Sequence, residues 1–218
     1  MDSLLSVANH AHGTIPLDVL ASLTLLSVAP VLLVMSTSFV RIVVVLSLVR
    51  SAIGAAALPP NTVLAGLALV LTLVIMSPTL TRISHDAIEP YGKGKLSQSQ
   101  MIDRAANPLR EFMLRQTKTA DVDLFERVAH RSPEAPAQAP TYVLIPAFVV
   151  GELRDAFAIG FALYLPFVVI DLAVAAILMG LGMFMLSPSI ISLPAKLLLF
   201  VMVDGWALVC GGVVSSFR

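Results

Sequence analysis

Apolar residues fall into six long runs, interrupted by short polar breaks and by one polar stretch in the middle of the chain. The runs are Leu17 to Met35, Phe39 to Leu58, Thr62 to Met76, Tyr142 to Leu165, Pro166 to Leu186, and Ile190 to beyond Trp206. A helix rises about 1.5 Å per residue, so nineteen residues such as Leu17 to Met35 reach across a hydrocarbon core of about 30 Å. The link Ser36-Thr37-Ser38 is short enough to predict an antiparallel hairpin of the first two runs. Pro59 and Pro60 end the second, because a proline donates no backbone bond and disfavours helical geometry in the residue before it. Asn61 is placed to cap the third run, which Ser77-Pro78 closes, and Pro146 reads as the first helical residue of the fourth. Ser187-Pro188-Ser189 turns the fifth run into the sixth.

Between Thr79 and Tyr142 the pattern becomes polar: 9 of the 14 Lys and Arg and 8 of the 14 Asp and Glu lie there, which marks a water-facing part. Within Gln98 to His130, Met101, Ile102, Ala105, Leu109, Phe112, Met113, Leu124, Phe125 and Val128 recur at three and four, the stripe of an amphipathic helix, with a new helix beginning at Pro108. Tyr91-Gly92-Lys93-Gly94-Lys95 lacks the spacing of a phosphate-binding loop and reads as an exposed turn. Ser132 to Pro140 is a Pro/Ala linker. The chain is thus all-α, in four parts: a polar lead 1–16, apolar helices 17–80, a polar helical segment with linker 81–142, and apolar helices 143–218.

Composition agrees with a membrane-embedded protein. Charged residues are 13% of the chain, about half the usage of soluble domains, and the mean hydropathy is +0.90. The balance of 14 acidic and 14 basic residues leaves no basic face for nucleic acid. Cys210 is the sole cysteine, in an apolar run, and reads as a small buried hydrophobe. The lead carries no Lys or Arg, which does not favour a cleaved secretory signal. Its His10 and His12 have no third ligand nearby, so a solvated tail is preferred to a metal site.

Ionisable residues inside apolar runs are costly and are the first functional candidates. They are Arg50, Glu152, Arg154, Asp155, Asp171, Lys196 and Asp204. Arg41 and Arg50, nine apart, leave opposite faces of one helix: Arg41 can snorkel at the helix end, whereas Arg50 needs a partner. Glu152 and Asp155 share a face with Phe148, Ile159 and Ala162, which suits a buried, intersubunit ion-pair site as well as a transport role. Lys196 and Asp204, eight apart, fall on roughly one helix face. Asp171 lies 17 residues before the centre of the turn and Lys196 8 after it, so a direct pair looks geometrically poor and a neighbouring subunit is the preferred partner of Asp171. Between them stand Gly180, Gly182, Met183, Phe184 and Met185: two flexible backbone positions, then two thioethers around a ring, a pattern that taken alone more often fills a core than lines a site.

An intramembrane enzyme would need a nucleophile with its base or a metal pair. No HExxH, GxSxG or paired histidines in an apolar run are present, and no cofactor, metal or catalytic residue is expected. A multi-pass secondary transporter or ion-channel subunit is the competing class, but the inverted repeat it predicts is not visible.

Several motifs together resemble the FliP/SctR family of type III secretion export-gate proteins. They are Thr37-Ser38-Phe39 to Gly54, Pro59-Pro60-Asn61 with Gly66-Leu67-Ala68-Leu69 and Met76-Ser77-Pro78, and Leu109-Arg110-Glu111-Phe112-Met113 with Gln116-Thr117. Further along come Ile145-Pro146-Ala147-Phe148 with Glu152-Leu153, Pro166 to Asp171, Gly182 to Pro188, and Leu193-Pro194 to Trp206. The run Arg110 to Thr117 is closer to the flagellar branch than to the injectisome branch. The resemblance implies a ring of five copies with FliQ-type subunits and one FliR-type subunit, in contact with membrane lipid. That ring would form a helical gate that passes unfolded export substrates across the bacterial inner membrane, with hairpins raised toward the periplasmic side. It also implies that Met183, Phe184 and Met185 form the constriction, with Phe184 standing where the family usually has a third methionine.

Overall fold

The computed structural model describes Ser27 and residues 30–54, 58–132 and 135–217. The chain divides into two compact units, Met1–Val34 and Met35–Arg218. In the first, described residues 30–34 are helical; the polar lead with His10 and His12, and most of the run from Leu17, lie outside the described residues.

The second unit is all-helical among the described residues. Helix α1 (Phe39–Ile53) carries Ile42, Val45, Leu46, Val49, Ala52 and Ile53, all buried, on a single stripe; it stops at Gly54, whose φ of 82° is the left-handed geometry of a helix C-terminus. This burial outweighs the weak helix preference of its many valines. Helix α2 (Asn61–Ile83) runs on through a π turn (Ser84–Ile88) and a last turn (Glu89–Gly92). Neither expectation about its ends holds. Pro78 sits inside the helix, since one missing N–H costs less than breaking a long apolar helix. The N-cap position is Pro60, and Asn61, the first helical residue, turns its Oδ1 to Arg50 instead.

In the polar middle, α3 (Gln98–Gln116) begins with a capping box: Gln100 N–H donates to Ser97 Oγ at 3.3 Å and Ser97 N–H to Gln100 Oε1 at 3.0 Å. Pro108 lies within this helix, not at the start of a new one. Helix α4 (Thr119–Val128) follows, then a single 3-10 turn (Pro136–Gln138) in the Pro/Ala linker, tied down by Arg110, which donates to the Ala137 carbonyl at 2.9 Å and to that of Ala139.

Helix α5 (Thr141–Gly180) is the longest. The two runs Tyr142 to Leu165 and Pro166 to Leu186 are one helix that ends at Gly180, and Pro146 and Pro166 both lie inside it. Its 40 residues span about 60 Å, twice a hydrocarbon core. Gly160 permits α1 to pack against it closely, because a Cβ there would collide with Leu48. Helices α6 (Pro188–Met202) and α7 (Gly205–Ser215) meet at a 64° bend, where the expected continuous helix from Ile190 past Trp206 is broken. At the break Asp204 is left-handed (φ 49°), and Gly205 presses so close to the Phe200 ring that a Cβ has no room.

Two apolar clusters hold the unit. One joins α1, α2, α5, α6 and α7 through residues such as Leu46, Ala68, Phe167, Phe200 and Val213. The other joins α2, α3, α4 and α5 through Met76, Phe112, Val122 and Phe148, with the Phe112 and Phe148 rings edge to face at 5.9 Å. Asn61–Gly92 and Thr141–Gly180 are each long and apolar enough to cross a membrane, and the bent pair α6–α7 makes a third span if counted as one. Cys210 is half-buried.

Candidate constriction and its buried charges

The residues after α5 form a defined helix stop. Met183 N–H donates to the Leu178 carbonyl at 2.9 Å and Gly182 N–H to that of Met179 at 3.1 Å, the paired bonds of a Schellman motif. Gly182 occupies its left-handed position, with φ 74°. This glycine therefore sets where the loop begins. Gly180, by contrast, is the last helical residue, and a Cβ there would meet nothing within 4 Å. Beyond the stop, Met183, Phe184 and Met185 project outward, with 40%, 79% and 100% of their surface exposed. Pro188 starts α6, and Ser187 Oγ lies 2.7 Å from Ser189 Oγ across the turn.

The hairpin that carries this loop is clamped from within. Lys196 Nζ donates to Asp171 Oδ2 at 2.6 Å, and Ser192 Oγ donates to Asp171 Oδ1 at 2.6 Å, so both carboxylate oxygens are used. Ser192 and Lys196 are buried. The expected partner for Asp171 on a neighbouring subunit is thus corrected to Lys196 of the same chain. Counting from the turn's centre overstated the mismatch, because α5 ends at Gly180: Asp171 is nine residues before that end and Lys196 eight after Pro188. A Cβ at Gly54 would lie 3.9 Å from Lys196 Nζ, so the clamp also abuts the end of α1.

A second charged group lies between α1 and α5. Arg41 Nε donates to Glu152 Oε2 at 2.9 Å and Nη2 to Glu152 Oε1 at 2.5 Å, a bidentate pair. Nη2 also reaches Asp155 Oδ2 at 3.3 Å. Nη1 donates to the carbonyl and the hydroxyl of Ser216, each at 3.1 Å, and the guanidinium lies 4.0 Å from the Phe217 ring centroid. The reading of Arg41 as a snorkelling residue is therefore wrong: it is 1% exposed. Glu152 and Asp155 do share a face, and Arg41 is what they face. Arg154 turns away and pairs with Asp121 of α4, while Lys118 Nζ stands 3.9 Å from Asp155 Oδ1. Asp121, Ser192 and Ser216 were not singled out in the sequence, and Arg41 was noted only as a helix-end residue; the signal for its pairing was available in the two carboxylates of α5, which need a cation beside them.

The last two candidates stand apart from both groups. Arg50 donates to Asn61 Oδ1 and, at 3.4 Å, to the Pro59 carbonyl. Asp204 is exposed at the helix break, and since that break intervenes, the shared face inferred for Lys196 and Asp204 does not exist. Among the described residues no group of three or more His, Cys, Asp or Glu is arranged to hold a metal ion.

The profile of the FliP family matches residues 22–213. The chain is 50% identical over 206 residues to the flagellar biosynthetic protein FliP of Pectobacterium carotovorum, covering 94% of this chain and 80% of that one. It is 46% identical to the protein of the same name from Buchnera aphidicola, again over 94% of this chain but 54% of that longer one. The flagellar biosynthetic protein FliP of Caulobacter vibrioides is 48% identical over 90% of this chain and 74% of its own length.

Proposed function

Because the chain belongs to the FliP family, we propose that it is a core subunit of the bacterial flagellar type III protein export gate. In this reading several copies surround a passage through which unfolded substrates cross the inner membrane. The observation that carries it is the loop after α5: two thioethers and an aromatic ring stand in the open on a mount that the chain itself makes rigid. Around a central axis the same side chains meet their own copies and close the passage. Methionine is unbranched and polarisable, so the closure excludes ions and still yields to side chains of any shape.

The ring comprises five copies, joined by FliQ-type subunits and one FliR-type subunit, and it sits in the inner membrane displaced toward the periplasm. Its work is mechanical, and no bond is made or broken by the chain. The reading is tested in the assembled complex by Met183→Ala with Met185→Ala. Ion permeability of the resting gate should rise; unchanged permeability counts decisively against a seal at these positions.

A further inference from the structure

Where α1, α5, α6 and α7 meet there is a cavity of about 200 Å3, with walls of Val49, Leu163, Phe167, Phe200 and Val209 and a rim of Val203, Gly205 and Leu208. No polar side chain lines it. Val49 and Val209 are buried whereas Val203 and Leu208 are exposed, so the cavity runs from the core to the surface at the α6–α7 break. The Phe200 ring is held between Phe167, at 6.4 Å, and Trp206, edge on at 5.2 Å, which keeps this wall from folding inward. A wholly apolar cavity of about 150 Å3 excludes water and accepts a benzene-sized ligand. This one is larger, and what it accepts is apolar.

Asp204 stands at the mouth, between the rim residues Val203 and Gly205, and has no side-chain partner among the described residues. The cations of the helices that form the cavity are engaged elsewhere: Arg41 with Glu152, Arg50 with Asn61 Oδ1 and the Pro59 carbonyl, Arg154 with Asp121 and Lys196 with Asp171. Exposed Val201, Met202, Val203 and Leu208 surround the carboxylate, which thus interrupts an apolar surface. A charge in such a setting is costly until an opposite charge covers it. Helix α5 and the bent pair α6–α7 are long and apolar enough to cross a membrane, so the mouth opens on lipid.

An occupant that suits both features is apolar where it enters the cavity and cationic beside it. A helix with its side chains is about 10–12 Å across and too broad to enter, whereas an acyl chain is a single thread of methylenes. We propose that the cavity takes one acyl chain of a membrane phospholipid whose primary ammonium headgroup sits on the Asp204 carboxylate. A tail gains little by leaving other tails, so filling the void and pairing the charge decide occupancy. A lipid with the same tails and an anionic headgroup brings like charge to Asp204 and is disfavoured. The site lies within one chain and goes beyond the ring reading, since it does not require copies to meet.

The test uses the full chain, extracted with its assembly intact and placed in nanodiscs of equal parts phosphatidylethanolamine and phosphatidylglycerol. One or the other lipid carries a photoreactive diazirine on its acyl chain, and adducts are mapped by mass spectrometry after irradiation. The ethanolamine probe should mark the peptides holding Leu163 to Phe167 and Leu208 to Val209, in about tenfold excess over the glycerol probe. Asp204→Asn removes the charge alone, because asparagine also tolerates the left-handed backbone found here, and should abolish the excess. Asp204→Glu should keep it. Leu208→Trp, at an exposed rim position, should block the mouth and lower adducts of both probes about fivefold. No adduct at these peptides means that protein fills the cavity, and overturns the proposal. Equal yields from the two probes in the wild type, an excess that survives Asp204→Asn, or adducts unchanged by Leu208→Trp each overturn it as well.

Discussion

Arg41 and Glu152 meet as a bidentate ion pair across 111 positions of sequence, with the two residues 1% and 0% exposed. The pair joins α1 to α5 in the interior, and Ser216 and Phe217 close over the remaining face of the guanidinium. A buried pair of this kind is worth little against an apolar replacement, yet removing one partner strands a charge where water cannot reach it.

The first prediction follows from that asymmetry. Arg41→Ala or Glu152→Ala should each destabilise the chain by about 3–5 kcal/mol, measured by thermal or denaturant unfolding in detergent, whereas Arg41→Met with Glu152→Leu should lose much less. Glu111→Ala is the control. It breaks the exposed Arg82–Glu111 pair, whose two side chains are 48% and 49% exposed, and should leave the unfolding midpoint unchanged within error.

Phe217 should act through the same group. Its ring packs over Arg41 and stacks on Phe112 at 6.4 Å, tying the end of the chain into the core. Phe217→Ala should cost about 2 kcal/mol, and Phe217→Leu, which keeps apolar cover but loses the ring face, about half of that. A Phe217→Leu chain as stable as the wild type would mean the cation gains nothing from the aromatic face.

The all-helical class and the charged positions were legible in the sequence because apolar run length and an ionisable residue inside such a run each have a direct physical cost. Partners were less legible. Arg41 looked like an end-of-helix residue because its run begins at Phe39, and only the packing of α1 on α5 shows that its end is internal. Asp171 was assigned away from Lys196 because the end of α5 was placed at Leu186; the Schellman stop at Gly182 moves it six residues back and brings the pair into register. Prolines misled in the same direction four times. Pro78, Pro108, Pro146 and Pro166 were each read as a helix boundary, yet each removes only one bond from a helix whose neighbours bury it.

The clamp on the hairpin gives a third prediction. Asp171→Ala leaves Lys196, 6% exposed, as a buried cation without its carboxylate, and should destabilise by about 2–4 kcal/mol and lower export in proportion. Asp171→Asn should be milder, because the amide oxygen still accepts from Ser192. Ser192→Ala removes that bond alone and should cost about 1 kcal/mol. An Asp171→Ala chain with normal stability in pulse proteolysis would mean the hairpin is held by its apolar contacts and not by this pair.

Gly180 and Gly182 allow the sharpest separation of backbone from side-chain effects, because they are two residues apart and differ in what each requires. Gly182 has φ 74° and must supply the left-handed step of the helix stop, a conformation that costs a side-chain-bearing residue about 1–2 kcal/mol. Gly180 is helical with open space around it, where alanine gains about 0.5–1 kcal/mol by lowering the entropy of the unfolded chain. Gly182→Ala should therefore lower the unfolding temperature and, by displacing Met183 to Met185, raise the resting ion leak; Gly180→Ala should do neither. Gly182→Asn, which tolerates the left-handed region better than alanine, should recover part of both losses. If Gly182→Ala changed stability but not leak, the position of the loop relative to the passage would be insensitive to its anchor, and the rigid mount would not be what sets the seal.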